Sequence, residues 1–133
     1  MSQWLIFLAI VPLSCFQLTK IFETKNRWMW NGIAIGMVIA PLSFGLLQLT
    51  YIPFIGGLLG GIGLVANLTH GTIGYFCLVG SGVLELDTVI TASQLVLINL
   101  VNGVLFSYCY GLVGYSVDRK LETADTKVKL TLG

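Results

Sequence analysis

Charged side chains are scarce in this sequence of 133 residues, and they are confined to three short windows. Lys, Arg, Asp and Glu together make up 10% of the chain, against about 25% in a typical soluble domain. The windows are residues 20–27, 85–87 and 118–133. The three stretches outside them carry no charge, and each is long enough to cross a hydrocarbon layer of about 30 Å as a helix. The sequence therefore predicts an all-α, polytopic membrane helix bundle.

The sequence also lacks the features of several functional classes. No polar window approaches the roughly 40 residues that a separate domain needs, so we expect no extramembrane domain. A net charge of +1 without a basic stripe argues against nucleic-acid binding. No nucleophile–base, metalloprotease, phosphate-loop or dinucleotide motif is present. The three cysteines lie in different apolar runs and show no metal or redox spacing. We expect no enzyme, no metal and no cofactor.

Four helices are predicted, over approximately residues 4–19, 28–49, 54–84 and 88–117. No basic region precedes the first run and no small-residue cleavage site follows it, so we interpret it as a retained helix. Pro53 divides the long central run, because proline lacks a backbone donor and biases the preceding residue away from the helix. Residues 118–133 form a short charged tail, which we expect to be partly disordered.

The third predicted helix leaves two architectures open. Residues 54–84 would make about 46 Å of continuous helix, longer than the hydrocarbon layer. A long or broken helix gives four spans, whereas two half-helices that enter and return near residues 67–71 give three spans and a re-entrant hairpin. We favour four spans. The hairpin obeys the positive-inside rule better, because it puts all seven basic residues on one side.

Two ridges of small residues recur at helical spacing. Such ridges let helix backbones approach closely in lipid, where apolar burial no longer drives association. They predict packing interfaces, either within the bundle or with another subunit. The residues of the two ridges are Gly32, Gly36 and Ala40 in the second helix, and Gly103, Ser107 and Gly111 in the last.

Amides within the spans form a possible polar path. Asn99 and Asn102 lie about one turn apart, with Tyr110 on nearly the same face, while Asn67 and His70 mark the most polar point of the third run. Intramembrane amides need partners, so they either hold the bundle together or line a route for a small solute. Further amides that could contribute are Gln17, Gln48 and Gln94.

His70 is the only histidine, so this chain alone cannot build a metal site or a bis-histidine haem site. A single axial bond from His70 to a tetrapyrrole is the weaker alternative to a hydrogen-bonded histidine at a helix break. The absence of charge inside the spans removes proton-relay and voltage-sensing roles.

Two functional hypotheses follow. The favoured one is a small integral membrane protein that acts by association, as an accessory or assembly subunit of a larger membrane complex. It is motivated by the small-residue ridges and the lack of catalytic groups. The alternative is a homo-oligomeric channel or transporter for a small solute. The expected partners are the lipid bilayer and either other membrane-protein subunits or a second copy of the chain. The sequence does not identify which membrane.

Overall fold

The computed structural model describes the backbone of residues 2–86 and 89–132 and the side chains of residues 8–86 and 89–125. Within these ranges the chain is helical and has no strand, which confirms the all-α prediction. A short 3-10 turn, Gln48–Tyr51, extends the second helix. The helices are α1 (Ser2–Ile21), α2 (Arg27–Leu47), α3 (Gly56–His70), α4 (Thr72–Gly80) and α5 (Ala92–Leu132).

Three helical segments are long and apolar enough to cross a membrane. They are Arg27–Tyr51, Gly56–Gly80 and Ala92–Asp125. In α1 the apolar stretch with described side chains, Leu8–Ile21, is shorter, although the helical backbone runs for 20 residues. The break predicted at Pro53 is present, because Ile52 leaves the helix with φ −76° and ψ 124°.

The core of the fold is the close, antiparallel pair of α2 and α5. A Cβ built at Gly32 would overlap the backbone of Tyr110, and one at Gly36 would overlap the backbone of Phe106. At the start of α2, the Asp118 carboxylate accepts hydrogen bonds from the backbone N–H groups of Trp28 and Met29, at 3.1 and 2.9 Å. The beginning of α2 therefore meets the charged end of α5, and Gly32 and Gly36 of the first predicted ridge lie against α5.

Helix α5 begins later and ends later than the sequence predicts. Thr91 and Gln94 form a reciprocal cap: the Thr91 N–H donates to Gln94 Oε1 at 2.8 Å, and the Gln94 N–H donates to Thr91 Oγ1 at 3.4 Å. This capping box sets the start, which the sequence analysis put at Thr88; Asp87 and Thr88 lie outside the described residues. At the other end α5 continues to Leu132. The tail expected to be partly disordered is helical, with an Arg119–Glu122 ion pair at 3.8 Å along its surface.

Helix α3 packs antiparallel to α2 and approaches it through glycines. A Cβ at Gly60 would overlap the Thr50 side chain, and one at Gly63 would overlap the backbone of Leu47. Further along, the Ser43 hydroxyl lies 3.4 Å from Asn67 Oδ1. Helix α3 therefore runs from the end of α2 back toward its middle.

Helix α4 does not continue in the direction of α3. In a straight helix Leu78 would lie roughly 16 Å beyond Asn67, toward the charged end of α5. Instead Leu78 packs on Ile98 and Leu84, near the start of α5. The backbone of Gly74 also meets α5 at Ile98, where a Cβ would come within 2.7 Å of the carbonyl oxygen. The chain therefore changes direction at Gly71 and returns toward the end of the bundle from which α3 entered.

The bend determines how charge is distributed over the molecule. Because α2 and α5 are antiparallel, segment 48–91 begins and finishes at the same end of the bundle. Arg27 and Arg119 lie together at the other end, which we call the basic end, while Glu85 lies at the end where α5 begins. In the favoured four-span arrangement α2 and α5 would be parallel. The antiparallel packing of α2 and α5 is instead the one expected from the alternative with a re-entrant hairpin.

Candidate functional site

The strongest polar feature of the fold is the junction between α3 and α4, which lies against the middle of α5. A broken helix leaves backbone N–H and C=O groups without their usual partners, and such groups are costly inside a membrane. Asn102 satisfies one group from each half-helix. Its Nδ2 donates to the Gly71 carbonyl at 2.8 Å, and its Oδ1 accepts from the Gly74 N–H at 2.6 Å. The Asn102 side chain is fully buried.

His70, the last residue of α3, extends this polar cluster along α5. Its Nε2 lies 2.5 Å from the Tyr110 hydroxyl, and its Nδ1 lies 3.0 Å from the Ala66 carbonyl and 2.7 Å from Thr69 Oγ1. A tautomer with the proton on Nδ1 satisfies these contacts, because Nδ1–H can donate to Ala66 and Nε2 can accept from Tyr110. The imidazole also contacts the Phe106 ring in a tilted arrangement, with 4.6 Å between ring centroids. Both ring nitrogens are thus engaged within the bundle.

A cleft of about 410 Å³ opens beside the junction. It lies between α2, the two half-helices and the first turns of α5. The Asn99 amide lines it, and within the described residues its one hydrogen bond runs from Nδ2 to the Leu95 carbonyl of its own helix, at 3.0 Å. The lining residues are Phe44, Asn67, Gly71, Thr72, Tyr75, Phe76, Ile90, Leu95, Ile98 and Asn99. The cleft is therefore mainly apolar, with a few amide and hydroxyl groups converging on it.

The fold brings together the four residues predicted to form a polar path. Asn102 and His70 hold the junction, while Asn67 and Asn99 line the cleft next to it. The additional amides do not join them. Gln17 and Gln48 are exposed on other parts of the bundle, and Gln94 serves in the cap of α5.

The predicted packing residues contact neighbouring helices or are buried inside the bundle. Gly103 lies against the backbone of α2, where a Cβ would be 3.3 Å from the Met37 carbonyl oxygen. Ser107 donates a hydrogen bond to the Ile33 carbonyl at 3.0 Å, and a Cβ at Gly111 would lie 2.9 Å from the Ile33 side chain. Ala40 is completely buried. The interpretation as intramolecular packing therefore accounts for both ridges.

Sequence reasoning missed three parts of this arrangement. Gly74 lets the start of α4 touch α5, and Ser43 reaches Asn67 from α2. The sequence offers only weak signals for them, a glycine three residues after Gly71 and a lone hydroxyl in an apolar helix. Asp118 was assigned to the tail, whereas its carboxylate accepts from the first backbone N–H groups of α2, about 90 residues away in the sequence, and no local signal indicates that pairing.

The chemistry available at the site is that of neutral hydrogen bonds. No group of three His, Cys, Asp or Glu side chains close enough to hold a metal ion occurs among the described residues. Among the described residues, amide, hydroxyl and imidazole groups converge at the junction, and no carboxylate or ammonium group lines the cleft beside it. Such a set can exchange hydrogen bonds with a small polar molecule.

No family model, curated protein or solved structure matches this chain. Function is therefore argued from the geometry of the junction and the cleft.

Proposed function

We propose that this chain is a small integral membrane protein that binds and conducts a small uncharged polar solute, as a channel or transporter. In this proposal α1, α2 and α5 cross the bilayer, and α3 and α4 form a re-entrant hairpin. The basic end faces the cytoplasm, in accord with the excess of Lys and Arg on cytoplasmic segments. The solute enters the cleft from the end at which the hairpin opens.

The observation that carries the proposal is the meeting of two half-helix ends at Asn102, beside a cleft. Non-helical backbone is tolerated at membrane depth only where protein covers it or where it lines a cavity. Discontinuous helices commonly build substrate sites in transporters, since their ends present free backbone groups and aligned dipoles. Here Asn102 covers the break, and the amides of Asn67 and Asn99 extend from it into the cleft.

The lining of the cleft favours an uncharged solute. A dehydrated ion needs a counter-charge or a ring of carbonyl ligands, and a charged group at this depth is expensive without one. The cleft instead presents amides together with Thr72, Tyr75 and apolar walls. Molecules of the size and polarity of water, glycerol or urea fit this chemistry.

The geometry gives less support to action by association alone. The two ridges were the main sequence argument for an interface with another subunit, and both face the interior between α2 and α5. Association with a second copy is still compatible with a channel. The proposal does not depend on such association.

Solute flux into proteoliposomes tests the proposal. The full chain is reconstituted and swelling is followed by stopped-flow light scattering under gradients of glycerol and urea, with water permeability from an impermeant osmolyte. We expect flux above protein-free vesicles, and we expect Asn99→Leu to reduce it at least several-fold. Within the described residues Asn99 forms no hydrogen bond outside its own helix, so this variant should keep its thermal stability.

The matched control is Gly61→Ala, which changes an exposed position with no atom within 4 Å of the added methyl group. This variant should conduct like the parent. Absence of flux for all three solutes, or full flux in Asn99→Leu, would contradict the proposal.

A further inference from the structure

A second cleft lies at the basic end, far from the hairpin. It has a volume of about 450 Å³ and is formed by α1, the first turns of α2 and the last membrane turns of α5. Its walls are mainly apolar, with Leu13 and Ile35 on one side and Val113 on the other. Trp28 and Asn31 line its wall near the start of α2. An apolar cleft between helices that is open to the bilayer is suited to an acyl chain.

Asn31, which lines this cleft, carries a buried polar atom without a partner. Asn31 is 4% exposed, and its Oδ1 has no hydrogen-bond partner within the described residues. The orientation of the amide is fixed by its other end, because Nδ2 donates to the Arg27 carbonyl at 2.9 Å and lies 3.4 Å from Thr19 Oγ1. The Thr19 hydroxyl donates to the Phe16 carbonyl at 3.1 Å, so it does not serve Oδ1. A buried acceptor left in this state is costly unless a ligand or a water supplies a donor.

An unpartnered donor lies one helical turn away. The Nε of Arg27 is buried and has no hydrogen-bond partner in the described part of the chain. Its guanidinium stacks over the Phe16 ring, with 4.4 Å from Cζ to the ring centroid, which holds the positive charge beside the cleft. Phe16 itself lines the cleft. A cation with an unpartnered donor therefore lies beside the cleft, one helical turn from the unpartnered acceptor of Asn31.

We infer that this cleft binds one anionic phospholipid whose headgroup carries a hydroxyl, of the phosphatidylglycerol type. The headgroup phosphate accepts from Arg27, a headgroup hydroxyl donates to Asn31 Oδ1, and one acyl chain lies along Leu13, Ile35 and Val113. Trp28, which lines the cleft, is of the residue type enriched at the membrane–water interface, and this suits a headgroup at that level. Basic pockets between helices on the cytoplasmic side are known to bind anionic headgroups. This inference does not depend on the proposed solute path.

The test compares three lipids that share the same acyl chains. The full chain, purified in mild detergent, is titrated with phosphatidylglycerol, phosphatidylmethanol and phosphatidylcholine, and bound lipid is counted by native mass spectrometry. Phosphatidylmethanol has the same charge as phosphatidylglycerol and lacks its hydroxyls. We expect one tightly retained phosphatidylglycerol, bound roughly threefold to tenfold more tightly than phosphatidylmethanol, as one hydrogen bond allows. Phosphatidylcholine, which has no net charge and no hydroxyl donor, should bind least.

Two variants test whether the preference for phosphatidylglycerol arises in this cleft. Asn31→Leu should bind phosphatidylglycerol and phosphatidylmethanol equally, because only the hydroxyl contact is lost. Arg27→Gln should weaken both anionic lipids. Asn99→Leu, which lies in the other cleft, should bind all three lipids like the parent.

Several results would overturn the inference. Equal binding of phosphatidylglycerol and phosphatidylmethanol by the parent protein would mean that no hydroxyl reaches Asn31, and this comparison needs no variant to fold. Retention of the preference in Asn31→Leu would place the lipid elsewhere. If the parent protein retains no lipid, the partner of Asn31 is a water molecule, and the inference is equally overturned. Flux through the hairpin cleft is measured separately, so failure of one proposal is distinguishable from failure of the other.

Discussion

At the scale of single residues, Asn102 has the largest structural role in the polar cluster. Its amide donates to the carbonyl of Gly71 and accepts from the N–H of Gly74, and it has no exposed surface. Only a side chain that both donates and accepts can bridge the end of one half-helix and the start of the next. The break at Gly71 and the identity of residue 102 therefore depend on each other.

Replacing Asn102 by Leu should destabilise the protein by about 1–3 kcal/mol or more, because two buried backbone groups lose their partner together. The measurement is thermal unfolding in detergent, followed by tryptophan fluorescence or circular dichroism. Asn99→Leu is the matched control, because among the described residues the Asn99 side chain bonds only to a carbonyl of its own helix, that of Leu95. Equal stability of the two variants would show that Asn102 does not hold the junction.

Tyr110→Phe removes the hydroxyl that lies against His70 Nε2 and leaves the ring in place. We expect a loss of about 0.5–1.5 kcal/mol in the free energy of unfolding, the usual contribution of one hydrogen bond. Tyr108→Phe is the natural comparison, because Tyr108 is two residues away on the same helix and its side chain is 69% exposed. If the two phenylalanine variants unfold at the same temperature, the His70–Tyr110 contact contributes nothing.

At the scale of elements, the fold depends on how closely helix backbones approach. Gly36 and Gly32 allow α2 to touch α5, and Gly63 allows α3 to touch α2. Burial of apolar surface does not favour helix association in lipid, so such close contacts and interhelical hydrogen bonds supply most of it. Glycines that face outward, such as Gly57 and Gly61, have no such role.

Alanine substitutions should therefore separate the glycines by position. Gly36→Ala puts a methyl group into the backbone of Phe106 and should cost on the order of 1–3 kcal/mol. Gly103→Ala should cost less, because the nearest atom is 3.3 Å away. Gly61→Ala should be neutral or stabilise by up to about 1 kcal/mol, through the better helix propensity of alanine. Unfolding temperatures of the three variants in one detergent check the order, and a Gly36→Ala protein as stable as the parent would contradict the α2–α5 interface.

At the scale of the whole molecule, the antiparallel pairing of α2 and α5 decides the topology. Asp118 contacts the start of α2, so the windows 20–27 and 118–133 leave the bundle at the same end. If both helices cross the bilayer, segment 48–91 crosses it an even number of times or not at all. The bend at Gly71 explains how an apolar segment of this length returns to the side from which it entered.

Labelling with a membrane-impermeant thiol reagent tests this topology. Single cysteines are placed at Asn26, Leu86 and Thr126 in a background without Cys15, Cys77 and Cys109. We expect Asn26 and Thr126 to react from one face, and Leu86 from the other. The four-span prediction from the sequence required the opposite result for Asn26 and Thr126. Reaction of those two positions from opposite faces would exclude the hairpin.

Much of the fold could be predicted from the sequence, because the signals are local. Charge-free runs predict membrane helices, Pro53 predicts the break after α2, and the spacing of Gly32 and Gly36 predicts a packing face. The start of α5 could also have been predicted, since Thr91 and Gln94 have the spacing of a capping box, although the predicted start was residue 88. The sequence predicted which residues belong to the candidate site, namely Asn67, His70, Asn99 and Asn102. It did not predict how they are arranged.

The sequence by itself determined that the chain is helical and apolar, where its helices break, and which residues are too polar to face lipid. Only the tertiary structure decided the direction that the chain takes after Gly71, and with it the side on which each charged window lies. The reason is physical. Hydropathy and helical periodicity report the surroundings of a residue within a few turns. The direction of α4, in contrast, is set by contacts with residues more than 20 positions away, at Ile98 and Asn102. A bent helix and a straight one have the same local pattern, and only the partner of the freed backbone groups distinguishes them.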